Sequence, residues 1–337
     1  MRALSITRPG GPEVLAIIEL PQPSPGPGKV LVRNYAVGVN FVETQIRRGK
    51  IPPSLMYSYP LVPGQEGAGV VAALGEGVVG LAVGTRVMWM DDPFEAHGYA
   101  EYCAVRANNV IPIADNVSFV SAAAAPVVYS TARNQINNLY GRAEAAGRWA
   151  LVRNAAGGAG TAMVETATAA GLKVIAVAST QKLDFARLRG AMETIDYKTE
   201  NVTERVRAIT RGEGVALALN PISGETVIED INLLAPLGQL IVYGLITGMP
   251  TGDVWGAMMH RVTAGLTISV ASIDAYMRHC PAQFRIALQH IASDLAAGRL
   301  NPPIFATMPL NDGARAHSML EAGTSTGKLI LEISDKG

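Results

Sequence analysis

The chain has only two cysteines in 337 residues, Cys103 and Cys280, and they lie far apart. Two such thiols make neither a disulfide framework nor a thiolate zinc cluster, and they fit a reducing cytoplasm. An excess of either charge is also missing: Lys plus Arg number 28 and Asp plus Glu number 28, for a formal net charge of zero. Without a basic surplus there is no electrostatic reason to expect nucleic acid or an anionic membrane as the main partner. No apolar run is long enough to span a bilayer. The opening residues, MRALSITRPGGPE, lack the apolar core of a secretory signal. The five histidines, His97, His260, His279, His290 and His317, show no metal-ligand spacing. What is present is an apolar-rich chain, 49 % hydrophobic and 17 % charged, with ample core material and a length that fits two domains. Low charge with abundant Ala and Val also suits a buried subunit interface.

The stretch 149–182, WALVRNAAGGAGTAMVETATAAGLKVIAVASTQK, organises the rest. A short apolar run at 149–152 reads as a buried strand. Ala155, Gly157 and Gly160 then form an A-x-G-x-x-G variant of the dinucleotide fingerprint. The helix-length segment 161–170 ends at Gly171, and 174–178 reads as the next parallel strand. Gly157 lets the backbone approach a pyrophosphate, and Gly160 lets helix and strand pack closely. The helix N-terminus offers free N–H groups to the anion. An NAD site usually carries Asp or Glu about 20 residues past the glycines. Here Ser179, Thr180, Gln181 and Lys182 stand in that region, with no acid before Asp184. Hydroxyls and one cation suit a 2′-phosphate, so NADP(H) is expected. Ser179 and Thr180 could equally cap the next helix, with Lys182 solvated, and the two roles are compatible.

Residues 1–121 read as mostly β, with short Val- and Leu-rich runs split by Gly and Pro and a loop, PQPSPGPG, at 21–28. A short helix is expected over 44–48. From Ser121 the composition turns helical and Ala-rich. Regular βα alternation follows, with strands near 149–153, 174–178, 193–196, 215–219 and 238–243 and a further β-rich run at 266–270. Asn220 and the turn at Gly244 and Leu245 end strands, where open parallel sheets bind ligands. The stretch 282–297 reads as an amphipathic helix, with Phe284, Ile286, Leu288, Ile291 and Leu295 as candidate core positions. The tail ends in a strand, TGKLILEI. A Rossmann doubly wound parallel-sheet α/β domain (122–266) is thus expected between a β-rich segment (1–121) and a C-terminal segment (267–337) that returns to it. Such an arrangement leaves a cleft in which substrate meets nicotinamide.

GGPEVL at 10–15, GVNFVETQIRRG at 38–49, VPGQEGAGVV at 62–71, AAGGAG at 155–160 and STGKLIL at 325–331 resemble the medium-chain dehydrogenase/reductase superfamily. Within it, the match is to the zinc-independent, zeta-crystallin-like quinone oxidoreductase branch, in order and over essentially the whole chain. The resemblance implies a GroES-like first domain, NADPH as hydride donor to a quinone or α,β-unsaturated carbonyl compound, and a homodimer. Zinc-dependent relatives place Cys where this chain has Asn40, and His-Glu where it has Gln65 and Glu66. Amides replace thiolate and imidazole poorly, so no metal is expected. Alcohol oxidation, which needs the metal to lower the alcohol's pKa, is thereby excluded.

Carried onto this chain, the resemblance puts Asn40 beside nicotinamide and substrate, where its amide can donate to a developing oxyanion; a turn or bracing role is the alternative. Gln65 could line the cleft, and Glu43 orients the loop. The cofactor positions are Asn40, Thr131, Asn154, Ala156, Gly157, Gly158, Ala159, Ser179, Thr180, Lys182, Tyr197, Asn220, Gly244, Leu245 and Lys328. Tyr197 could instead pack at a strand end, and Lys328 could be surface charge. Relatives commonly carry Tyr residues where this chain has Gln45 and the run Lys50, Ile51, Pro52. Tyr57 and Tyr59 follow a few residues later and could substitute or simply pack. Two rival functions remain. One is an enoyl-thioester reductase, weakly supported by a basic cluster of Arg47, Arg48 and Lys50. The other is a non-catalytic NADPH-binding protein, structural or RNA-associated, against which the zero net charge speaks in its RNA form.

Overall fold

The computed structural model describes residues 1–51, 58–141 and 146–333. The chain divides into two compact units: Met1–Ser130 with Met277–Gly337, and Thr131–Tyr276. In the first, the β-branched, Gly-punctuated runs form β1 (Arg2–Ile6), β2 (Leu15–Glu19), β3 (Lys29–Val39), β4 (Glu66–Leu74), β5 (Arg86–Met90), β6 (Tyr102–Arg106) and β7 (Val110–Pro112). Helix α1 (Phe41–Arg47) follows β3 directly, and α2 (Phe119–Ala123) and α3 (Pro126–Arg133) follow β7. β3 pairs antiparallel with both β4 and β6. The close approach of β3 to β4 depends on Gly69, where a Cβ would lie 1.9 Å from the Arg33 carbonyl oxygen.

In the second unit strand and helix alternate. The elements are β8 (Trp149–Arg153), α4 (Gly158–Ala169), β9 (Lys173–Ala178), α5 (Leu183–Leu188), β10 (Glu193–Asp196), α6 (Val202–Ile209), β11 (Val215–Asn220), α7 (Thr226–Leu233), β12 (Leu234–Val242), α8 (Val254–Met259), β13 (Thr267–Val270) and α9 (Ile273–His279). The strands are parallel in the order β10-β9-β8-β11-β12-β13. This is the doubly wound order, which reverses between β8 and β11. Every residue of β11 is buried, as befits a strand covered on both faces. Leu151, Ile175, Ile195, Ile231 and Leu240 anchor this core.

The chain then returns to the first unit through α10 (Pro281–Ala296), β14 (Ile304–Pro309), α11 (Gly313–Glu321) and β15 (Lys328–Glu332). β15 pairs antiparallel with β3, completing the path β14-β15-β3-β4-β5-β7, with β6 also on β3. The insertion of a Rossmann sheet into a β-rich unit is therefore as expected, but its limits shift. They fall at 130/131 and 276/277 rather than 121/122 and 266/267. The cause lies in packing: α2 sits on β3, β4 and β5, and β13 pairs with β12 inside the parallel sheet. In α10, Phe284, Leu288, Ile291 and Leu295 are buried, whereas Ile286 is 50 % exposed. It lies two residues from each neighbour and so points off the stripe. β14 and α11 were not anticipated, because neither segment carries a clear apolar period.

Gly69→Ala should lower stability by about 1–3 kcal/mol, since the new methyl meets backbone that cannot turn aside. The check is the denaturant midpoint; an unchanged value would mean that β3 and β4 part at no cost.

Candidate functional site

β3 ends at Val39 and α1 begins at Phe41, which makes Asn40 the N-cap of α1. The Glu43 carboxylate accepts the Asn40 N–H at 2.8 Å, the glutamate half of a capping box. The Asn40 side chain turns instead toward β15 and β4. Its Oδ1 accepts from Lys328 Nζ at 2.7 Å, and its Nδ2 donates to Glu66 Oε1 at 2.9 Å. Among the described residues, the second Nδ2 hydrogen has only Gly38 O, at 3.5 Å, within reach. Lys328 is not surface charge: it is 4 % exposed, and its ammonium also donates to Val39 O at 2.9 Å and Glu66 Oε1 at 2.7 Å. Glu66 Oε2 accepts from Val127 N–H at 2.8 Å.

Behind Asn40, Glu43 is fully buried and accepts from Gln65 N–H at 3.2 Å and Tyr99 OH at 2.6 Å. Burial pushes its carboxyl up to about 7, against the lowering effects of Tyr99, the Asn40 N–H and Lys328, with the Glu66 charge adding to the rise. Burial, reinforced by Glu43, also holds the Tyr99 phenol well above its usual range. His317 Nε2 lies 3.3 Å from Tyr99 OH. Burial, helped by Arg47, holds its imidazole down to about 3, so it is neutral. Glu43 therefore orients the loop by gripping the backbone N–H of both Asn40 and Gln65. Gln65 is buried, and its side-chain amide makes no hydrogen bond among the described residues.

These donors do not fit zinc. Asn40 and Gln65 offer neutral amides, and the Glu66 carboxylate is occupied by an ammonium and two N–H groups. Tyr59 packs, its hydroxyl donating to Ile46 O at 2.6 Å. Pro52 and Tyr57 lie outside the described residues. The basic cluster proposed at Arg47, Arg48 and Lys50 does not form. Arg47 is buried, and both arginines pair with Glu321 of α11.

In the second unit, Asn154 adopts a left-handed φ of 53° and heads the glycine turn. Gly157 is the N-cap of α4 and makes no side-chain cap. The N–H groups of Gly158, Ala159 and Gly160 thus have no acceptor within the helix. A Cβ on Gly160 would lie 2.0 Å from Asn154 O, so close packing of helix on turn requires glycine there. This cradle fits a pyrophosphate. At the end of β9, Ser179 makes no capping hydrogen bond, but the Thr180 hydroxyl donates to Asp196 and is not free for a phosphate. Lys182 lies near Lys198; burial first, and then the Lys198 charge, lowers its pKa. Two neighbouring ammonium groups suit a dianion. Lys198 was missed, although it directly follows Tyr197, itself 56 % exposed rather than packed.

Thr131 lies in α3 and is half-buried, Ala156 is buried in the glycine turn, and Leu245 is exposed beyond β12. Gly244 is backed by Pro221 O, 2.7 Å from where its Cβ would be. Asn220 departs from the direct cofactor contact expected of it. It is fully buried, its amide donating to Thr226 Oγ1 and Asp230 Oδ2 and its carbonyl accepting from Ile222 and Ser223 N–H. Burial turns this side chain into the unit, so it shapes the turn from within.

A β-rich unit interrupted by a doubly wound sheet with a glycine turn at its first strand defines a two-unit, nucleotide-dependent oxidoreductase. The alcohol dehydrogenase GroES-like domain matches residues 26–115, and the zinc-binding dehydrogenase family matches residues 189–331. A quinone oxidoreductase of Pseudomonas aeruginosa is 32 % identical over 96 % of both chains. A 2-haloacrylate reductase of a Burkholderia species is 30 % identical over 98 % of both. The crystal structure of Escherichia coli quinone oxidoreductase complexed with NADPH superposes with a TM-score of 0.89 at 28 % identity, covering 98 % of this chain and all of that one. The chain belongs to the medium-chain dehydrogenase/reductase superfamily, in its quinone oxidoreductase branch.

Lys328→Met should cost about 3–5 kcal/mol, because it strands the buried Glu66 carboxylate. Adding Glu66→Gln should recover part of that loss. Thermal melting of the single and double variants checks both.

Proposed function

We propose that the chain transfers hydride from NADPH to a conjugated carbonyl compound, a quinone or an α,β-unsaturated carbonyl. That it is an NADPH-dependent oxidoreductase rests on its family and on the glycine turn. The acceptor reading is carried by one observation, the state of the Asn40 amide. Lys328 and Glu66 fix which end is N–H and which is C=O, and among the described residues the second N–H has no acceptor closer than Gly38 O at 3.5 Å. The ammonium on the carbonyl withdraws electrons and makes that N–H a better donor. Such a preset donor suits an oxygen that gains negative charge as hydride adds to a conjugated system. When bound, the reduced nicotinamide supplies the hydride; the protein supplies orientation and polarity. A proton from water completes the reduction. The similarity to a 2-haloacrylate reductase, named for a conjugated acid, supports a conjugated acceptor over an alcohol.

Steady-state NADPH oxidation with quinones, enones and enoyl-CoA esters tests the reading, with turnover expected on the first two classes. Asn40→Ala should lower kcat by about tenfold on a quinone and more on an enone, whose enolate is more basic, with NADPH affinity within a few-fold. Unchanged kcat on both, in a variant with an intact melting transition, would reduce Asn40 to bracing. Lack of turnover on every acceptor, with NADPH still bound, would favour a non-catalytic role.

Lys182→Ala should weaken NADPH by about tenfold, the value of one charge-assisted contact, and leave NADH nearly unchanged. Fluorescence titration of both cofactors decides; equal losses would place Lys182 away from the 2′-phosphate.

A further inference from the structure

Asp230, on α7, is fully buried. Its Oδ1 accepts from Arg153 Nε at 2.8 Å, and its Oδ2 accepts from Asn220 Nδ2 at 2.6 Å. Arg153 is the last residue of β8 and Asn220 the last of β11. These strands pair in parallel, with Ala150 opposite Leu217 and Val152 opposite Leu219. They are also the two between which the strand order reverses. In a doubly wound sheet the nucleotide enters the crevice outside the carboxyl ends of the strands at that point. One carboxylate therefore ties together the two strand ends that flank the crevice.

Each strand end leads into a turn. Arg153 precedes Asn154, which heads the glycine turn. Asn220 accepts the N–H groups of Ile222 and Ser223 at 2.8 and 2.9 Å and so shapes the turn after β11. Glu229 holds the other side of the guanidinium, 2.8 Å from Arg153 Nη2, and Thr226 Oγ1 accepts from Asn220 Nδ2 at 2.9 Å. Both hydrogens of the Asn220 amide and its carbonyl are thus engaged, so a shift of α7 moves both turns together.

We propose that Asp230 is a positioning residue that sets, through Arg153 and Asn220, the spacing of the two turns flanking the NADPH crevice. The proposal rests on the NADPH reading and deepens it. The groups that face the carboxylate are Arg153 from β8, Asn220 from β11 and Glu229 from its own helix. Burial pushes the carboxyl up to about 6, against the lowering effects of Arg153 and Asn220, with Glu229 adding to the rise. Protonation removes the charge that Arg153 and Asn220 donate to and so weakens both arms. The arrangement is whole above that pH and loosens below it.

Asp230→Asn at neutral pH imitates the protonated state at constant shape. Titrated by NADPH fluorescence, it should raise the NADPH Kd by about tenfold through lost preorganisation. The KM for the carbonyl substrate should change little, while the melting midpoint without cofactor falls because Arg153 keeps only Glu229 as an ionic partner. Asn220→Ala, which removes one arm, should weaken NADPH in the same direction but less. A folded Asp230→Asn variant with unchanged Kd overturns the proposal, as does a lowered melting midpoint with unchanged Kd, which would confine the cluster to stability. If Asp230→Asn does not melt cooperatively, Asn220→Ala decides alone. If the unaltered protein fails to bind NADPH, the cofactor reading itself falls.

Discussion

A single buried ammonium holds the first unit's functional corner together. Lys328 has three hydrogens, and each has an acceptor: the last carbonyl of β3, the side chain of Asn40 and the carboxylate of Glu66. Removing a charge from water is costly unless it is paired and fully hydrogen-bonded, and here both conditions hold. The consequence is geometric. β15 pairs with β3, β3 pairs with β4, and the three polar residues at that end are tied to one another by hydrogen bonds. Glu43 grips the same corner from the other side through the N–H groups of Asn40 and Gln65.

The donor set of this corner differs from one that would hold zinc. Glu66 retains its negative charge, but an internal lysine supplies the compensating positive charge. Asn40 then becomes a hydrogen-bond donor oriented by its neighbours. An oriented donor does not lower an alcohol's pKa as a metal does, but it can hold a developing oxyanion.

The second unit follows the same principle with other residues. Its central strand β11 is apolar up to its last residue, and at the carboxyl ends of β8 and β11 Arg153 and Asn220 both donate to Asp230 of α7. Among the described residues, the N–H groups in the first turn of α4, above β8, have no acceptor within the helix and suit an anion. In both units a polar side chain expected among the cofactor positions, Lys328 in one and Asn220 in the other, is buried and hydrogen-bonded within its own unit.

Much of the architecture was legible in the chain because it depends on local pattern. The glycine spacing at 155–160, the strand at Trp149–Arg153 and that at Glu193–Asp196 follow from apolar runs and turn residues within a few positions of each other. The short helix expected over 44–48 is present as Phe41–Arg47, begun earlier by the contact of Glu43 with the Asn40 N–H. Tertiary structure alone decided the rest. Lys328 reaches Asn40 across 288 positions and Tyr99 meets His317 across 218, separations over which no periodicity carries information. Whether Thr180 is free for a ligand depends on Asp196, one strand away. Whether Ile286 is core depends on which face of α10 meets the sheet. The sequence by itself determined most of the elements, their order and the nucleotide turn, since backbone propensity and hydrophobic period act over short range. Which polar side chains face outward and which brace the interior was decided only by folding, because burial and hydrogen-bond partners are properties of distant residues brought together.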